Sequence, residues 1–223
     1  MRWMLSQRRN AVAAGTSDLP PVLAPVSRSF SRTIRKYGPR AKGVGWSNAD
    51  WQLRRFQIFA GLFAYEKTGL TINDLGCGYG AMFEAYRDLP QLLGGRYVGY
   101  DISPHMLDEA RKRISDPRAE FILSHEATEE ADYSFVSGSY NICMEANERE
   151  WLGYVFGNLE QLWSKTRTGL AFNMLDRGTP EKAKTLYYAD RRVFLDFCQK
   201  ALSPKARLFD GYSDTEWTIF VRR

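Results

Sequence analysis

The chain is expected to fold as a doubly wound α/β domain whose mostly parallel sheet has an antiparallel edge, and three observations predict it. Strand-like and helix-like segments alternate through most of the sequence, the pattern of parallel strands joined by covering helices. The first strand runs into the glycine-rich turn TINDLGCGYG (residues 71–80). The last two strands lie too close together for a crossover and must pair antiparallel.

Each element follows from its local pattern. Residues 10–27 carry three prolines and small residues without a sustained period, and read as linker. From Asp50, apolar residues at Leu53, Phe56, Phe59, Phe63 and Ala64 have helical spacing that ends at Gly69. LTINDL (70–75) is the first strand, AMFEAYRDLPQLL a helix interrupted near Pro90, and RYVGYD (96–101) the second strand. Ser103 is placed to cap the next helix with Pro104 at its first position. AEFILS (119–124) and DYSFVS (132–137) are the third and fourth strands, followed by the amphipathic helix EREWLGYVFGNLEQLWSKT. GLAFNML (169–175) is the fifth strand, and PEKAKTLYYADRRVFLDFCQKAL reads as mostly helical with a break around Tyr188–Asp190. ARLFDGY and EWTIFVRR close the chain as a hairpin.

Bulk properties narrow the function classes. With 223 residues and 44% hydrophobic content, the chain can bury one good core. No apolar run is long enough to span a membrane. Cys77, Cys143 and Cys198 are far apart, and His105 and His125 are the only histidines, so no metal-ligand spacing exists and a reduced, cytoplasmic setting is expected. The net charge of +5 is uneven: residues 1–42 hold nine Lys/Arg and one acid, leaving the remainder at −3. Residues 1–42 are therefore expected to be a basic, flexible extension, and residues 43–223 the folded domain. Such an extension can contact nucleic acid.

The glycines and two acids define the expected ligand. Gly76 and Gly78 permit a tight turn, and Gly80 lets the next helix start close to the strand, with backbone amides facing a ligand. A carboxylate at Asp74, two residues before the first glycine, would repel a pyrophosphate and suits an amino group instead. Asp101, ending the second strand, is placed to accept from ribose hydroxyls. A nucleoside with a cationic amino-acid tail and no phosphate is S-adenosylmethionine (SAM).

D-L-G-C-G-Y-G followed by Y-D-I-S-P-H-M-L closely resembles the class I SAM-dependent methyltransferase family, over roughly residues 46–223. KGVGW (42–46), ADYSFVSGSYN (131–141), AFN (171–173) and LYYAD (186–190) are similar to a bacterial subset of it. The resemblance implies a seven-stranded Rossmann-like sheet, SAM as methyl donor, S-adenosylhomocysteine (SAH) as product, and adenine near the end of the third strand. Many relatives place an acid there; this chain has His125–Glu126.

The expected cofactor-binding residues are thus Asp74, Gly76, Cys77, Gly78, Tyr79, Gly80, Asp101, Ile102, Met106, His125, Glu126 and Ser137, with Trp46 as a lid. Ser139, Tyr140, Asn141, Tyr187 and Tyr188 are expected on the acceptor side, and His125, Tyr140 and Asn141 are the candidate catalytic residues. Arg54 and Arg55 are expected on a solvated helix face. Methyl transfer to a small-molecule oxygen or nitrogen is the leading expectation. Nucleic-acid methylation is the alternative, disfavoured because Ser137-Gly138-Ser139-Tyr140 lacks the Pro-Pro-aromatic turn of amino-methylating enzymes. A non-catalytic SAM-binding protein is the third reading.

Overall fold

Alternate residues of the central strands enter two different cores, because each strand is covered on both faces. In the computed structural model, which describes residues 19–44 and 49–223, the strands are β1 (Thr71–Leu75), β2 (Arg96–Asp101), β3 (Ala119–Leu123), β4 (Ala131–Ser137), β5 (Thr166–Asp176), β6 (Tyr188–Ala189), β7 (Arg207–Phe209) and β8 (Glu216–Arg222). Their order across the sheet is β3-β2-β1-β4-β5-β8-β7. β1 to β5 are mutually parallel, and β8 runs antiparallel to both β5 and β7. The doubly wound sheet and its closing hairpin are borne out. The two-residue β6 is an addition: it pairs with Leu175 and Asp176 at the end of β5, past the last residue that β5 pairs with β4.

The helices are α1 (Ala24–Tyr37), α2 (Ala49–Ala60), α3 (Ala81–Tyr86), α4 (Pro104–Arg113), α5 (Glu148–Ser164) and α6 (Arg191–Phe197). On one face, Phe56 and Phe59 of α2, Phe83 of α3 and Leu107 of α4 pack against Tyr97, Tyr133 and Phe135. On the other, Trp151, Val155 and Leu159 of α5 and Phe194 of α6 pack against Val136, Phe172 and Trp217. Ser103 caps α4 as expected, its side chain accepting from the Met106 amide. Asn147 and Asp190 cap α5 and α6 in the same way.

Three expectations are corrected. First, the boundary at residue 42 does not hold. Part of the presumed extension is helix α1, whose Leu23, Val26 and Ile34 side are buried, while Arg28, Arg32, Arg35 and Lys36 face outward. The spacing of Leu23, Val26, Phe30 and Ile34 is helical, and Pro25 sits within the first turn, where its missing N–H costs nothing. Second, residues 180–187 are not helical. The Thr185 carbonyl accepts from the amides of both Cys143 and Met144, and Ile142 bridges Leu186, so this segment is pulled across the end of β4. Third, Arg55 is not solvated. It is 3% exposed and forms a two-point ion pair with Glu216 of β8, tying α2 to the antiparallel edge; Arg54 is exposed as expected.

Removing one partner of a buried pair strands the other charge, at a cost of about 3–5 kcal/mol. Arg55→Ala is therefore expected to lower the thermal midpoint by roughly 10 °C in a domain of this size. Calorimetry showing a midpoint within a degree of wild type would mean that the pair adds nothing to the packing.

Candidate active site

The carboxyl ends of the parallel strands open into one cavity, at the place where an open α/β sheet gathers its ligands. Its floor is the turn after β1. Gly76 sits at φ 80°, in the left-handed region, and a Cβ there would lie 1.8 Å from Ser139 Oγ, so only glycine fits. Gly80 serves elsewhere. It does not line the cavity, and a Cβ on it would come within 2.4 Å of Ile114, so its absence of side chain lets α3 start against the end of α4.

The turn amides do not face outward as expected. Gly76 and Cys77 donate to the Tyr100 carbonyl at 2.7 and 2.9 Å, Gly78 donates to Asp101 Oδ2 at 2.9 Å, and Gly80 donates to the Cys77 carbonyl at 3.0 Å. These four amides are spent on the protein itself. A diphosphate laid against this turn would find none of them free, whereas nucleotide turns rely on such donors. Asp101 also accepts from the Ser103 amide at 2.8 Å through Oδ1, so this carboxylate closes the turn from β2 while remaining on the cavity wall. Burial pushes its carboxyl up to about 6, and the amides of Ser103, Gly78 and Ile102 oppose that rise.

Asp74 is 2% exposed and also lines the cavity. Its Oδ2 accepts from the Tyr97 hydroxyl, while Oδ1 is buried without a hydrogen-bond partner among the described residues. Burial drives this carboxyl up to about 7; the Tyr97 hydroxyl works against the shift and Asp101 adds to it. A buried oxygen that lacks a donor costs free energy, about 1–3 kcal/mol for such a group, unless a ligand supplies one.

Among the other expected cofactor residues, Cys77, Tyr79, Ile102, Met106, His125 and Ser137 line the cavity. Cys77 is no nucleophile: burial raises its thiol well above the ordinary range, and its Sγ packs against Gly99. Tyr79 donates to Gln52 Oε1 at 3.0 Å, with the Arg113 guanidinium over its ring. His125 stands just past β3, its Nδ1 buried and without a hydrogen-bond partner among the described residues. Glu126 does not line the cavity; its side chain is half exposed with Oε1 3.9 Å from His125 Nδ1, and Ser124 binds its backbone at both the amide and the carbonyl. Trp46 lies outside the described residues.

On the acceptor side, Ser139, Tyr140 and Asn141 form the single helical turn after β4, and all three line the cavity. Tyr140 is a poor candidate base, because its hydroxyl donates to Asn158 Oδ1 at 2.8 Å and burial raises its pKa well above that of a free tyrosine. Tyr187 and Tyr188 do not line the cavity. Tyr187 packs beside Phe194, and the Tyr188 hydroxyl accepts from the Ala183 amide; their neighbour Leu186 reaches the cavity instead.

The largest omission from the sequence reading is the roof. Leu23, Val26 and Phe30 line the cavity from above. Ser27 Oγ donates to the Ile102 carbonyl at 2.9 Å, and Ser31 Oγ bonds Ser103 Oγ at 2.8 Å, so α1 is stapled to the residues just after Asp101. Trp151, Tyr154 and Asn158 form a second unforeseen wall from one side of α5.

A methyltransferase-domain family model matches residues 72–157, which hold β1 to β4, the glycine turn and the start of α5. The protein Rv1506c of Mycobacterium tuberculosis, assigned as a methyltransferase, is 35% identical over 156 residues, covering 69% of this chain and 93% of that protein. Among solved structures, magnesium protoporphyrin IX methyltransferase from Synechocystis with bound SAH is similar at a TM-score of 0.64 and 15% identity, over 88% of this chain and 95% of that one. The plantazolicin methyltransferase BpumL with SAH is similar at 0.58 and 16% identity, over 90% and 92%. The curated relative is matched along nearly its whole length and the fold agrees: the chain belongs to the class I methyltransferases, enzymes that use SAM as methyl donor.

Proposed function

We infer that SAM lies along the cavity with its ribose at Asp101, its adenine among Ile102, Met106 and His125, and its amino group at Asp74, and that the acceptor is a small molecule. One observation carries the placement. A buried carboxylate with an oxygen unpartnered among the described residues stands beside a turn four of whose amides, those of Gly76, Cys77, Gly78 and Gly80, are already committed, which suits a cation better than a phosphate. When bound, SAM supplies the activated methyl. This chain's own residues bind and orient: Asp101 fixes the sugar, Asp74 the amino-acid tail, and Leu23, Val26 and Phe30 exclude water from above.

Small-molecule acceptance is supported by the shape of the site. The remaining space is roofed by α1 and walled largely by apolar side chains, the usual make-up of a small-ligand pocket. The two structural relatives are named for magnesium protoporphyrin IX and for plantazolicin. Ser139, Tyr140 and Asn141 on this wall offer no ready general base, and transfer from a sulfonium to a nucleophilic atom can proceed by alignment alone, which is worth about 7–11 kcal/mol in well-oriented reactions.

The test is calorimetric titration with SAM across pH. In the free protein Asp74 holds a proton below about 7, whereas an ammonium partner needs the carboxylate. Affinity is therefore expected to weaken by up to about tenfold per unit as pH falls below 7, and to weaken again at alkaline pH as the ammonium loses its proton. Asp74→Asn should bind weakly and lose the fall that sets in at pH 7, keeping only what Asp101 contributes below about 6. NADH binding in place of SAM, or a SAM affinity that does not change from pH 8 to 6, would refute the placement.

A further inference from the structure

The sheet divides the cavity into two ends. The residues assigned above to the nucleoside, Asp101, Ile102, Met106 and His125, follow β2 and β3 on one side of β1. On the other side, β4 and β5 carry the opposite end of the cavity, with β5 about 10 Å from β1 at ordinary strand spacing. That end is lined by Ser139, Asn141, Ile142, Leu175 and Leu186. None of these is charged. A cation or carboxylate lodged there would lose its hydration with no opposite charge to replace it.

Within this apolar end stands one unspent polar group. Asn141 is 2% exposed, and its Oδ1 accepts from the Leu175 amide at 2.9 Å. Its backbone is held as well, donating to the Gly138 carbonyl at 3.1 Å and accepting from the Tyr187 amide at 2.8 Å. The side-chain amide cannot turn over, because that would set Nδ2 against the Leu175 N–H, donor against donor. Nδ2 is thus fixed by the fold, and it is buried with no hydrogen-bond partner among the described residues.

We propose that Asn141 is the specificity-determining residue of the acceptor end, and that the acceptor is an uncharged, largely apolar molecule that presents a carbonyl, ether or ring-nitrogen lone pair to Asn141 Nδ2. The inference rests on the cofactor placement above, because it assigns to the acceptor the space that the nucleoside leaves. It makes Asn141 a recognition group rather than a base: an amide neither takes nor gives a proton at neutral pH. The acceptor atom is then one that is nucleophilic without a protein base on this wall.

The test uses protein saturated with SAH and ligand-observed NMR on three matched sets of single-ring aromatic compounds: neutral ketones, lactams and ethers; carboxylates; and amines. The neutral set is expected to bind wild type best. Asn141→Asp keeps an oxygen for the Leu175 amide and replaces the donor with an acceptor, so it should weaken the neutral set at least tenfold while SAH affinity stays within twofold. Leu186→Lys, a half-buried position that leaves Asn141 intact, should shift preference toward the carboxylates. Equal binding of charged and neutral sets, no neutral binding, or neutral binding indifferent to both variants would overturn the proposal with the cofactor site intact. Failure of SAH itself to bind would instead overturn the cofactor placement, and this inference with it.

Discussion

Asp101→Ala should abolish measurable SAM binding in ordinary calorimetry, a loss of about a hundredfold or more if two charge-assisted hydrogen bonds of roughly 1.5–3 kcal/mol each disappear. Two effects converge. The proposed ribose contact is lost, and the turn loses its tie, since the Gly78 and Ser103 amides both donate to this carboxylate. Asp101→Asn separates the two. It keeps an oxygen for one amide but sets an NH2 group against the other, so the turn should loosen and binding should fall even where the ribose contact is partly kept. A wild-type dissociation constant in the alanine variant would place the nucleoside elsewhere. A large loss of thermal stability without ligand would show that the carboxylate acts chiefly as a clasp for the glycines.

Truncation through residue 42 should be as damaging as loss of that aspartate, although composition alone marks this region as a basic, flexible extension. The cut removes Leu23, Val26 and Ile34, each nearly fully buried, and uncovers the cavity. Burial of three such side chains is worth about 5 kcal/mol, taken at the low end of ordinary transfer values because unfolded chains already hide some surface. The truncated protein is expected to melt many degrees lower and to lose SAM binding. Truncation through residue 18 leaves every described contact of α1 in place and should do neither. If the shorter protein bound SAM like the full chain, the roof would be irrelevant to the cofactor. The charges of this region call for a different experiment. Arg28, Arg32, Arg35 and Lys36 all face solvent, so reversing them probes polyanion binding without opening the cavity.

The central strands were legible because burial on both faces leaves continuous apolar runs bounded by turn residues. The Ser103–Pro104 cap and the DLGCGYG turn were legible because their backbone geometry admits few residue types. The roof was obscured by its own punctuation: Pro20, Pro21 and Pro25 read as linker, and they mask the period of Leu23, Val26, Phe30 and Ile34. Residues 180–187 misled in the opposite direction. Glu181, Lys182, Ala183 and Lys184 favour helix locally, but tertiary pairing with residues 142–144 outweighs a propensity of a few tenths of a kcal/mol per residue. Arg55 looked like surface because its partner, Glu216, lies 161 residues away. Trp151, Tyr154 and Asn158 were visible as one side of a helix, but periodicity cannot tell a side facing core from a side facing a ligand. The direction of the turn amides was equally hidden, since it depends on Asp101 arriving from the neighbouring strand.

The seat of α1 includes Ile102 and Ser103, separated from its own serines by 75 and 72 positions. During synthesis α1 precedes β2 and the start of α4, so its docking surface does not exist until they have followed it out. The helix therefore cannot settle before residues 102 and 103 are made. Until it does, its apolar stripe travels exposed, with four outward cations as its protection against premature association.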